Sequence, residues 1–298
     1  MHNYFYLLYN LIISTLRKMK IHMIIRNGFL RHRINLLFIK ALHFALPDTI
    51  ETEGIILYHR SLDKGTALFG WCYAVNVEQE MLSTIKQIVK PGMSIVDVGA
   101  YIGYYTLHFA KLVGNKGKVF AFEPNPSAYA LLKKNIEVNE LSAITESFKT
   151  AVGDREKKAT LFLGTSTDSS LFRLFKVIDQ TTITDVVSLD KFFADRGWPP
   201  VHVIKIDIEG AEKIALEGMR GLVERNRNLK LIIELNPSCL NVAGTSAAEL
   251  LGVLSELSFN RIRVLSGETR SYRIPQDIGY LANLGEKSIV NLLCERHP

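Results

Sequence analysis

The sequence predicts an α/β fold in which a mostly parallel β-sheet carries helices on both faces. From residue 93 onward, short runs of β-branched and apolar residues alternate with longer segments of helical periodicity. Acidic residues stand at the ends of three of these runs, at Asp97, Glu123 and Asp207. Because ligands of such sheets bind beyond the carboxyl ends of the strands, this pattern also predicts where a site lies.

The stretch Met93–Gly103, with the sequence MSIVDVGAYIG, is the centre of the predicted fold. Its apolar, β-branched half predicts a buried strand, and the residues after Gly103 begin a helix. Gly99 and Gly103 allow the backbone to approach a ligand, which the unpaired N–H groups of the helix N-terminus can bind. Tyr101 stands where a dinucleotide fingerprint has its middle glycine, so the pattern is D-x-G-x-x-x-G. A tight strand–helix turn in an unrelated α/β protein is the competing interpretation.

Composition bounds the size and compartment of the protein. The 298 residues are 47% hydrophobic and 22% charged, which suits one large domain with an appendage. Cys72, Cys239 and Cys294 are far apart and form no C-x-x-C pair, which argues against a zinc site and against a disulfide framework. The cysteines therefore favour a reducing, cytoplasmic compartment.

The net charge of +6 is concentrated near the N-terminus. Residues 1–47 contain seven Lys or Arg and no Asp or Glu, whereas the remainder contains 29 basic and 30 acidic residues. A basic surface for nucleic acid across the whole domain is therefore not predicted. We divide the chain into a basic, apolar helical segment at 1–46, a hairpin and helix at 47–92, and the main domain at 93–298.

Three interpretations fit the N-terminal segment. Its aromatic residues and its Lys and Arg without acidic residues are typical of a helix lying on an anionic membrane surface, here the cytoplasmic face. A pair of helices packed on the domain or on a partner also fits, as does a chain that starts at Met19 or Met23. The apolar run Tyr4–Ile13 is too short for a membrane span and lacks the flanks of a signal peptide.

The segment before the central strand predicts a hairpin followed by a helix. Gly54–Tyr58 and Ala67–Tyr73 have the composition of strands joined by a polar turn. Glu78–Val89 places its apolar residues on one face at helical spacing, and Pro91 with Gly92 ends the helix.

Two more strands are predicted after the glycine turn. Lys118–Phe122 ends in Glu123, whose carboxylate can accept hydrogen bonds from both ribose hydroxyls of a nucleotide. Asn125 then caps a helix. Phe148–Val152 is the third strand, and Asp154 beyond it is expected to bind the exocyclic amine of adenine. A surface turn is the alternative for this aspartate.

Carboxylates also follow the next two strands. His202–Asp207 is the fourth strand and is followed by Glu209, and Lys230–Leu235 is the fifth, with Glu234 near its end. Carboxylates that converge on one sheet edge shift each other's pKa values, which makes the cluster a candidate functional site. Salt bridges from Glu209 and Glu212 to nearby lysines are the structural alternative.

The C-terminal part completes the alternation of helices and strands. Ser246 and Glu249 form a capping box that opens a helix through Leu257. Arg261–Leu265 and Lys287–Cys294 predict the last two strands.

Five stretches of this sequence carry a family resemblance. They are DVGAYIGYYT at 97–106, FAFEPNP at 120–126, VSLDKFF at 187–193, IKIDIEGAE at 204–212 and IIELNP at 232–237. Together they resemble the FkbM family of S-adenosylmethionine (SAM)-dependent methyltransferases. The string KIDIEGAE is the most specific part, since many unrelated enzymes share the glycine turn. The likeness covers about residues 54 to 294 and leaves out the N-terminal segment.

The resemblance implies a Rossmann-like class I methyltransferase fold. Its sheet would have seven mostly parallel strands, with one antiparallel strand near the C-terminal edge. The resemblance also implies SAM as the donor, bound by residues 93–298, and usually a hydroxyl of a sugar or polyketide as the acceptor. By the same likeness Glu123 holds the ribose, and the methionine end of SAM lies at a turn formed by Asp97, Gly99, Ala100 and Gly103.

The expected reaction is an in-line transfer of the methyl group from the SAM sulfonium to an acceptor oxygen. The protein must hold the acceptor and remove its proton, and Asp207 is our first candidate for that general base. Glu209 and Glu234 are the second candidates. Alternatively, Asp207 and Glu209 hold a divalent cation such as Mg²⁺, which lowers the pKa of the hydroxyl.

Two other functions remain open from the residues alone. An NAD-dependent oxidoreductase could use Glu123 equally well, although the missing middle glycine argues against it. A non-catalytic SAM-binding protein would keep the turn without transferring a methyl group. The acceptor pocket is expected from 54–80, 154–202 and 236–246, which do not reveal its ligand. The basic N-terminal segment suggests a membrane-linked glycan or glycolipid, and the oligomeric state cannot be predicted.

Overall fold

A computed structural model describes residues 49–58, 79–163, 169–174, 180–265, 271–285 and 289–296. The chain divides into two units, Met1–Pro47 and Asp48–Pro298, and every described residue belongs to the second. The predictions for residues 1–46 and for the strand Ala67–Tyr73 lie outside the described residues, so the proposed domain limits stay predictions. Within the described part of the chain, no helix combines the length and the apolar character that crossing a membrane requires.

Strands and helices alternate over residues 94–148 as the sequence predicts, whereas the described residues from 145 to 187 form consecutive strands. The strands in the described ranges are β1 Thr49–Thr52, β2 Ile55–Tyr58, β3 Ser94–Val98, β4 Lys118–Phe122, β5 Thr145–Phe148, β6 Ala151–Val152, β7 Lys157–Leu163, β8 Ser169–Ser170, β9 Gln180–Val187, β10 Val203–Ile206, β11 Lys230–Leu235, β12 Arg261–Val264, β13 Ser271–Arg273 and β14 Val290–Glu295. The helices are α1 Gln79–Ile88, α2 Tyr104–Val113, α3 Pro126–Val138, α4 Leu189–Ala194, α5 Glu212–Glu217, α6 Arg220–Arg225, α7 Pro237–Val242, α8 Ala247–Glu256 and α9 Ile278–Gly285.

The central sheet has the strand order β13-β12-β14-β11-β10-β3-β4-β5. The five strands from β11 to β5 are parallel, whereas β14 runs antiparallel between β11 and β12. This order confirms the predicted α/β class and the predicted antiparallel strand near the C-terminal edge, which is β14. The predicted number of seven strands is wrong, because β13 adds an eighth strand antiparallel to β12. With three residues and one buried side chain, Tyr272, β13 is too short to show an alternating pattern.

The sheet has a hydrophobic core on each face. Successive residues of β3 point to opposite faces, so Ile95 belongs to one buried cluster and Val96 to the other. The first cluster packs under α1 to α3, and the second under α4 to α6 and α8. Strands covered on both faces are apolar at most positions, which is why β3, β4 and β10 are recognisable as short, mainly apolar runs.

The predicted third strand is divided between two sheets. Phe148–Val152 was predicted as one strand, but β5 ends at Phe148 in the central sheet, and Ala151 begins β6 in a second sheet of order β6-β9-β7-β8. Lys149 and Thr150, between the two strands, fit an extended segment of either sheet, so the residue pattern alone does not show the transfer. The second sheet therefore begins immediately beyond the carboxyl end of β5.

Two other predictions need correction. β2 matches the strand predicted at Gly54–Tyr58, but its partner among the described residues is β1, which precedes it in the chain. The helix predicted from Glu212 to about Val223 is broken into α5 and α6 near Gly218. A Cβ at Gly218 would lie 2.0 Å from the backbone oxygen of Gly153, so this close approach admits glycine alone.

Two predicted helix caps, at Asn125 and Ser246, are confirmed. The Asn125 side chain accepts a hydrogen bond from the Ser127 N–H at 2.9 Å and caps α3. The capping box of α8 is complete, with Ser246 and Glu249 each accepting a hydrogen bond from the other's backbone N–H.

Candidate functional site

A cavity of about 460 Å³ opens at the carboxyl ends of the central strands. Its walls include the glycine turn after β3, the end of β4, and the ends of β10 and β11. The second sheet and β14 contribute further lining residues. This is the place where open α/β sheets bind ligands, so the cavity is the candidate site.

The glycine turn lies on the floor of the cavity. Gly99 has a positive φ of +81°, and a Cβ there would lie 1.9 Å from the Asp207 backbone oxygen. The N–H groups of Gly99 and Ala100 both donate to the Phe122 carbonyl at 3.0 Å. Gly99 and Ala100 line the cavity, whereas Gly103 supports the turn from behind, where a Cβ would lie 2.7 Å from Leu132. Both glycines are therefore required by close packing.

Glu123 lies at the end of β4 and lines the cavity although it is only 5% exposed. Its two carboxylate oxygens accept hydrogen bonds from the backbone N–H groups of Tyr101 and Asn125, each at 2.8 Å. Burial raises the pKa of Glu123 to about 7, against the lowering effect of those two hydrogen bonds. The carboxylate is thus fixed by its own turn and keeps lone pairs for a ligand.

Asp97 lies behind the cavity wall. It is buried, and its Oδ2 accepts a hydrogen bond from the Thr106 hydroxyl at 2.6 Å. The Lys205 ammonium lies 3.9 Å from its other oxygen. Burial raises the pKa of Asp97, while Lys205 and Thr106 oppose the shift. Asp97 is not among the cavity-lining residues, so its contribution to the turn is structural support from below.

Lys205 is a functional candidate that sequence reasoning treated only as a counter-ion. It is 2% exposed, in the middle of β10 and opposite Asp97 in the β3 register. Its ammonium donates to Asp207 Oδ2 at 3.1 Å and lies 5.2 Å from the centre of the Tyr105 ring. Lys205 lines the cavity, and a lysine inside the otherwise apolar strand VIKI is the signal that could have found it.

Three carboxylates stand together at the ends of β10 and β11. One oxygen each of Asp207, Glu209 and Glu234 lies within 4.8 Å of the others, and all three residues line the cavity. Asp207 extends β10, Glu209 follows it at a positive φ of 53°, and Glu234 lies near the end of β11. The tertiary structure therefore brings together the three predicted catalytic residues.

The environment of Glu234 differs from that of its neighbours. Burial first, and then the negative charges of Asp207, Glu209 and Glu212, raise the pKa of Glu234 to about 10. Its Oε2 is buried and has no hydrogen-bond partner among the described residues. The raised pKa favours the protonated form of Glu234, which can donate a hydrogen bond in the cavity.

Glu209 is positioned by two contacts from neighbouring elements. The Cys239 thiol lies 3.1 Å from its Oε2, and burial together with the nearby carboxylates raises the pKa of that thiol. The Ser170 hydroxyl donates to the Glu209 backbone oxygen at 2.7 Å. These contacts connect the second sheet and α7 to the carboxylate cluster.

Asp154 does not reach the cavity. Its carboxylate pairs with the Lys157 ammonium at 2.8 Å and with Arg155 at 3.2 Å, and these interactions lower its pKa. The expectation that Asp154 meets adenine depended on the third strand ending at Val152. Since β5 ends four residues earlier, Thr150 lines the cavity at this position instead.

Glu212 is likewise outside the cavity lining. It is buried, and its Oε1 accepts hydrogen bonds from the N–H groups of Ile208 and Gly210 at 3.1 and 3.2 Å. These bonds hold the loop between β10 and α5 in its sharp turn. Lys205 pairs with Asp207 at 3.1 Å and with Asp97 at 3.9 Å, and Lys213 pairs with Glu249 at 3.4 Å.

Several lining residues were not predicted. Tyr105, in the first turn of α2, is 6% exposed, and its hydroxyl has no hydrogen-bond partner among the described residues. Asn291 on β14 is in register with Glu234 and lines the same cavity. Ser169 of the second sheet accepts a hydrogen bond from the Asn125 amide at 2.8 Å. Nothing local in the sequence distinguishes these residues from ordinary surface or core positions.

Comparison with protein families identifies the pattern. The sequence model described as the Methyltransferase FkbM domain matches residues 97–261, a range that contains the glycine turn and the carboxylate cluster.

The chain is also similar to curated relatives and to solved structures. Protein-L-isoaspartate O-methyltransferase 1 of Arabidopsis thaliana is 37% identical over 71 residues, covering 24% of this chain and 31% of that protein. Hexuronic acid methyltransferase AglP of Haloferax volcanii is 24% identical over 182 residues, covering 60% of this chain and 68% of that protein. The chain thus spans about a third to about two thirds of the length of these relatives. A crystal structure of a SAM-dependent O-methyltransferase from Thermotoga maritima aligns with a TM-score of 0.43 and 16% identity, covering 84% and 78% of the two chains.

Proposed function

Since this chain belongs to the FkbM methyltransferase family, we propose that it transfers the methyl group of SAM to a hydroxyl oxygen of a saccharide, a glycan or a related metabolite. The observation that carries the proposal is the cavity itself. It joins a donor-type glycine turn to a cluster of carboxylates that face the same space. The relative named as a hexuronic acid methyltransferase supports the saccharide part of the proposal.

The donor would occupy the side of the cavity formed by β3 and β4. Ala100 and Gly99 offer a backbone surface without bulky side chains, and Glu123 offers carboxylate oxygens for the ribose hydroxyls. Thr150 and Pro124 line the part that the adenine ring would fill. SAM supplies the reactive methyl group, so the protein contributes binding, alignment and proton removal.

Asp207 is the proposed general base. Its side chain is 26% exposed and lines the cavity, so an acceptor hydroxyl can reach it. The Lys205 ammonium at 3.1 Å holds the carboxylate in one orientation. Glu234, with its raised pKa, is better suited to donate a hydrogen bond to the acceptor than to remove a proton. Glu209 remains the alternative base.

A divalent cation is the second candidate for activating the hydroxyl. The oxygens of Asp207, Glu209 and Glu234 lie within 4.8 Å of one another, and hard oxygen ligands suit Mg²⁺. Such an ion would lower the pKa of a bound hydroxyl and make a protein base less important. The presence of Lys205 beside Asp207 favours a general base over a cation, because the ammonium already neutralises one carboxylate.

Methyl transfer from radiolabelled SAM tests the proposal. The purified protein would be incubated with labelled SAM and a panel of neutral, acidic and amino sugars, and the sugar fraction would be analysed for an ether-linked methyl group. We expect label in at least one sugar and none with Asp207→Asn. Binding of SAM with label only on nitrogen or carboxylate acceptors would overturn the hydroxyl assignment, and failure to bind SAM would overturn the whole proposal.

A further inference from the structure

The acidic wall, which we define as Asp207, Glu209 and Glu234, carries negative charge on Asp207 and Glu209. Among the described residues that line the cavity, Lys205 is the one with a basic side chain. Its ammonium is shared between Asp207 at 3.1 Å and the buried Asp97 at 3.9 Å. One positive charge thus serves two carboxylates, while Glu209 adds a further negative charge on the same side. The cavity near the wall therefore attracts a cation.

The proposed donor changes its charge during the reaction. SAM carries a positive sulfonium, and its product S-adenosylhomocysteine (SAH) is a neutral thioether with otherwise the same groups. A protein that makes contact only with the adenosine and the amino acid parts would bind the two almost equally. A negative wall beside the sulfur would favour SAM and lose that attraction once the methyl group has left.

The wall lies directly against the donor turn. Gly99 approaches the Asp207 backbone oxygen so closely that no side chain fits between them. Tyr105, from the helix that follows the same turn, also lines the cavity, and its buried hydroxyl has no hydrogen-bond partner among the described residues. A polar ligand that satisfies this hydroxyl while resting on the turn would have the acidic wall beside it.

We propose that the acidic wall recognises the positive charge of the donor, so that the protein binds SAM in preference to SAH and the product leaves when the charge is lost. This inference rests on the proposed function, because it takes SAM as the donor. Glu209 is the residue that tests it best. Its carboxylate faces the cavity, and replacement by Gln removes the charge while keeping the size and the thiol contact from Cys239.

Titration calorimetry with three ligands gives the test. SAM, SAH and sinefungin, an analogue whose amine replaces the methylated sulfonium, would be titrated into wild type, Glu209→Gln and Glu123→Gln, with EDTA present. We expect Glu209→Gln to weaken SAM and sinefungin about fivefold each and SAH less than about twofold, as a screened Coulomb interaction predicts. Glu123→Gln, at the ribose end of the same cavity, is expected to weaken all three by a similar factor.

The outcomes separate this inference from the proposed function. Equal weakening of all three ligands in Glu209→Gln would overturn charge recognition. Charge recognition would also be overturned if the change in sinefungin affinity matched that of SAH rather than that of SAM. The wall would then discriminate by the methyl group and not by the charge. If wild type binds none of the three, the proposed function fails and this inference fails with it. Asp207→Asn is a second variant that removes one charge from the acidic wall. Its thermal unfolding curve would show whether the fold is intact.

Discussion

Gly99 and Asp207 are the closest link between the donor turn and the carboxylate cluster. Their strands, β3 and β10, are parallel neighbours, and a Cβ on Gly99 would lie 1.9 Å from the Asp207 backbone oxygen. One backbone contact therefore sets both the shape of the turn and the position of the proposed base. The predictions below follow from this contact and from the charges around it.

Gly99→Ala should abolish donor binding. The new methyl group would collide with the Asp207 carbonyl and force β10 away from the turn, and the positive φ adds strain. Gly114→Ala is the matched control, because Gly114 also has a positive φ but no atom within 4 Å of a Cβ. We expect SAM affinity in Gly99→Ala to fall at least about tenfold and Gly114→Ala to lose only about 1 kcal/mol of stability. Calorimetry and urea unfolding of both variants would measure this.

Asp207→Asn should separate catalysis from binding. The amide keeps the shape of the side chain but cannot take a proton, so we expect turnover to fall by about 10²–10⁴-fold. SAM affinity should change only a few-fold, since one of several negative charges is removed. Single-turnover rates and calorimetric Kd values would be compared. Turnover close to that of wild type would remove Asp207 from the mechanism.

Chelation should leave turnover unchanged if Asp207 acts as a base. The assay would be run with EDTA and then with added Mg²⁺. Loss of turnover in EDTA that Mg²⁺ restores in wild type, but not in Glu234→Gln, would instead assign the three carboxylates to a bound cation.

Lys205→Met should destabilise the fold by about 3–5 kcal/mol. The change leaves Asp97 buried without its nearby positive charge. The double variant Lys205→Met with Asp97→Asn removes that uncompensated charge and should recover most of the stability. Urea unfolding midpoints of the two variants and wild type would measure this. Equal loss in the single and double variants would mean that Lys205 stabilises the fold by packing rather than by charge.

Glu212→Gln should make stability less dependent on pH. Burial raises the pKa of Glu212 from its ordinary 4.5 to about 7, so between these values the folded protein keeps a proton that the unfolded chain releases. Wild type therefore loses stability as pH rises from 4.5 to about 7. Above this range, its free energy of unfolding should be lower than that of the variant by on the order of 3 kcal/mol.

The measurement for Glu212 is urea unfolding at several pH values from 4 to 8. Glu123 has a similar raised pKa but is present in both proteins, so the difference isolates Glu212. Glu217→Gln, on the exposed part of the same helix, is the matched control. An identical pH slope in wild type and Glu212→Gln would contradict the prediction.

Much of the fold was predictable because its signals are local. The strands of the central sheet are apolar on both faces, and the caps at Asn125 and Ser246 are short sequence patterns. The β5–β6 transfer was missed because an extended segment does not reveal which sheet it joins, and β13 was missed because three residues are too few to show a pattern. The three carboxylates were predictable since each follows a recognisable strand.

The site residues also divide into those whose role the local sequence predicted and those whose role only the structure shows. Gly99, Glu123 and Asp207 were found from their places at strand ends, and all three line the cavity. Asp97 was also found, but only the packing of Thr106 against it shows that it supports the turn from behind.

By itself, the sequence determined the alternating strands and helices, the glycine turn and the row of acids at strand ends. These depend on backbone conformation and on apolar periodicity, which neighbouring residues specify. The tertiary structure decided that Lys205 lies between Asp97 and Asp207, that burial raises the pKa of Glu234, and that Asp154 stays outside the cavity. Those results depend on which strands are adjacent and on how far each charge is removed from water, and residues distant in the chain determine both.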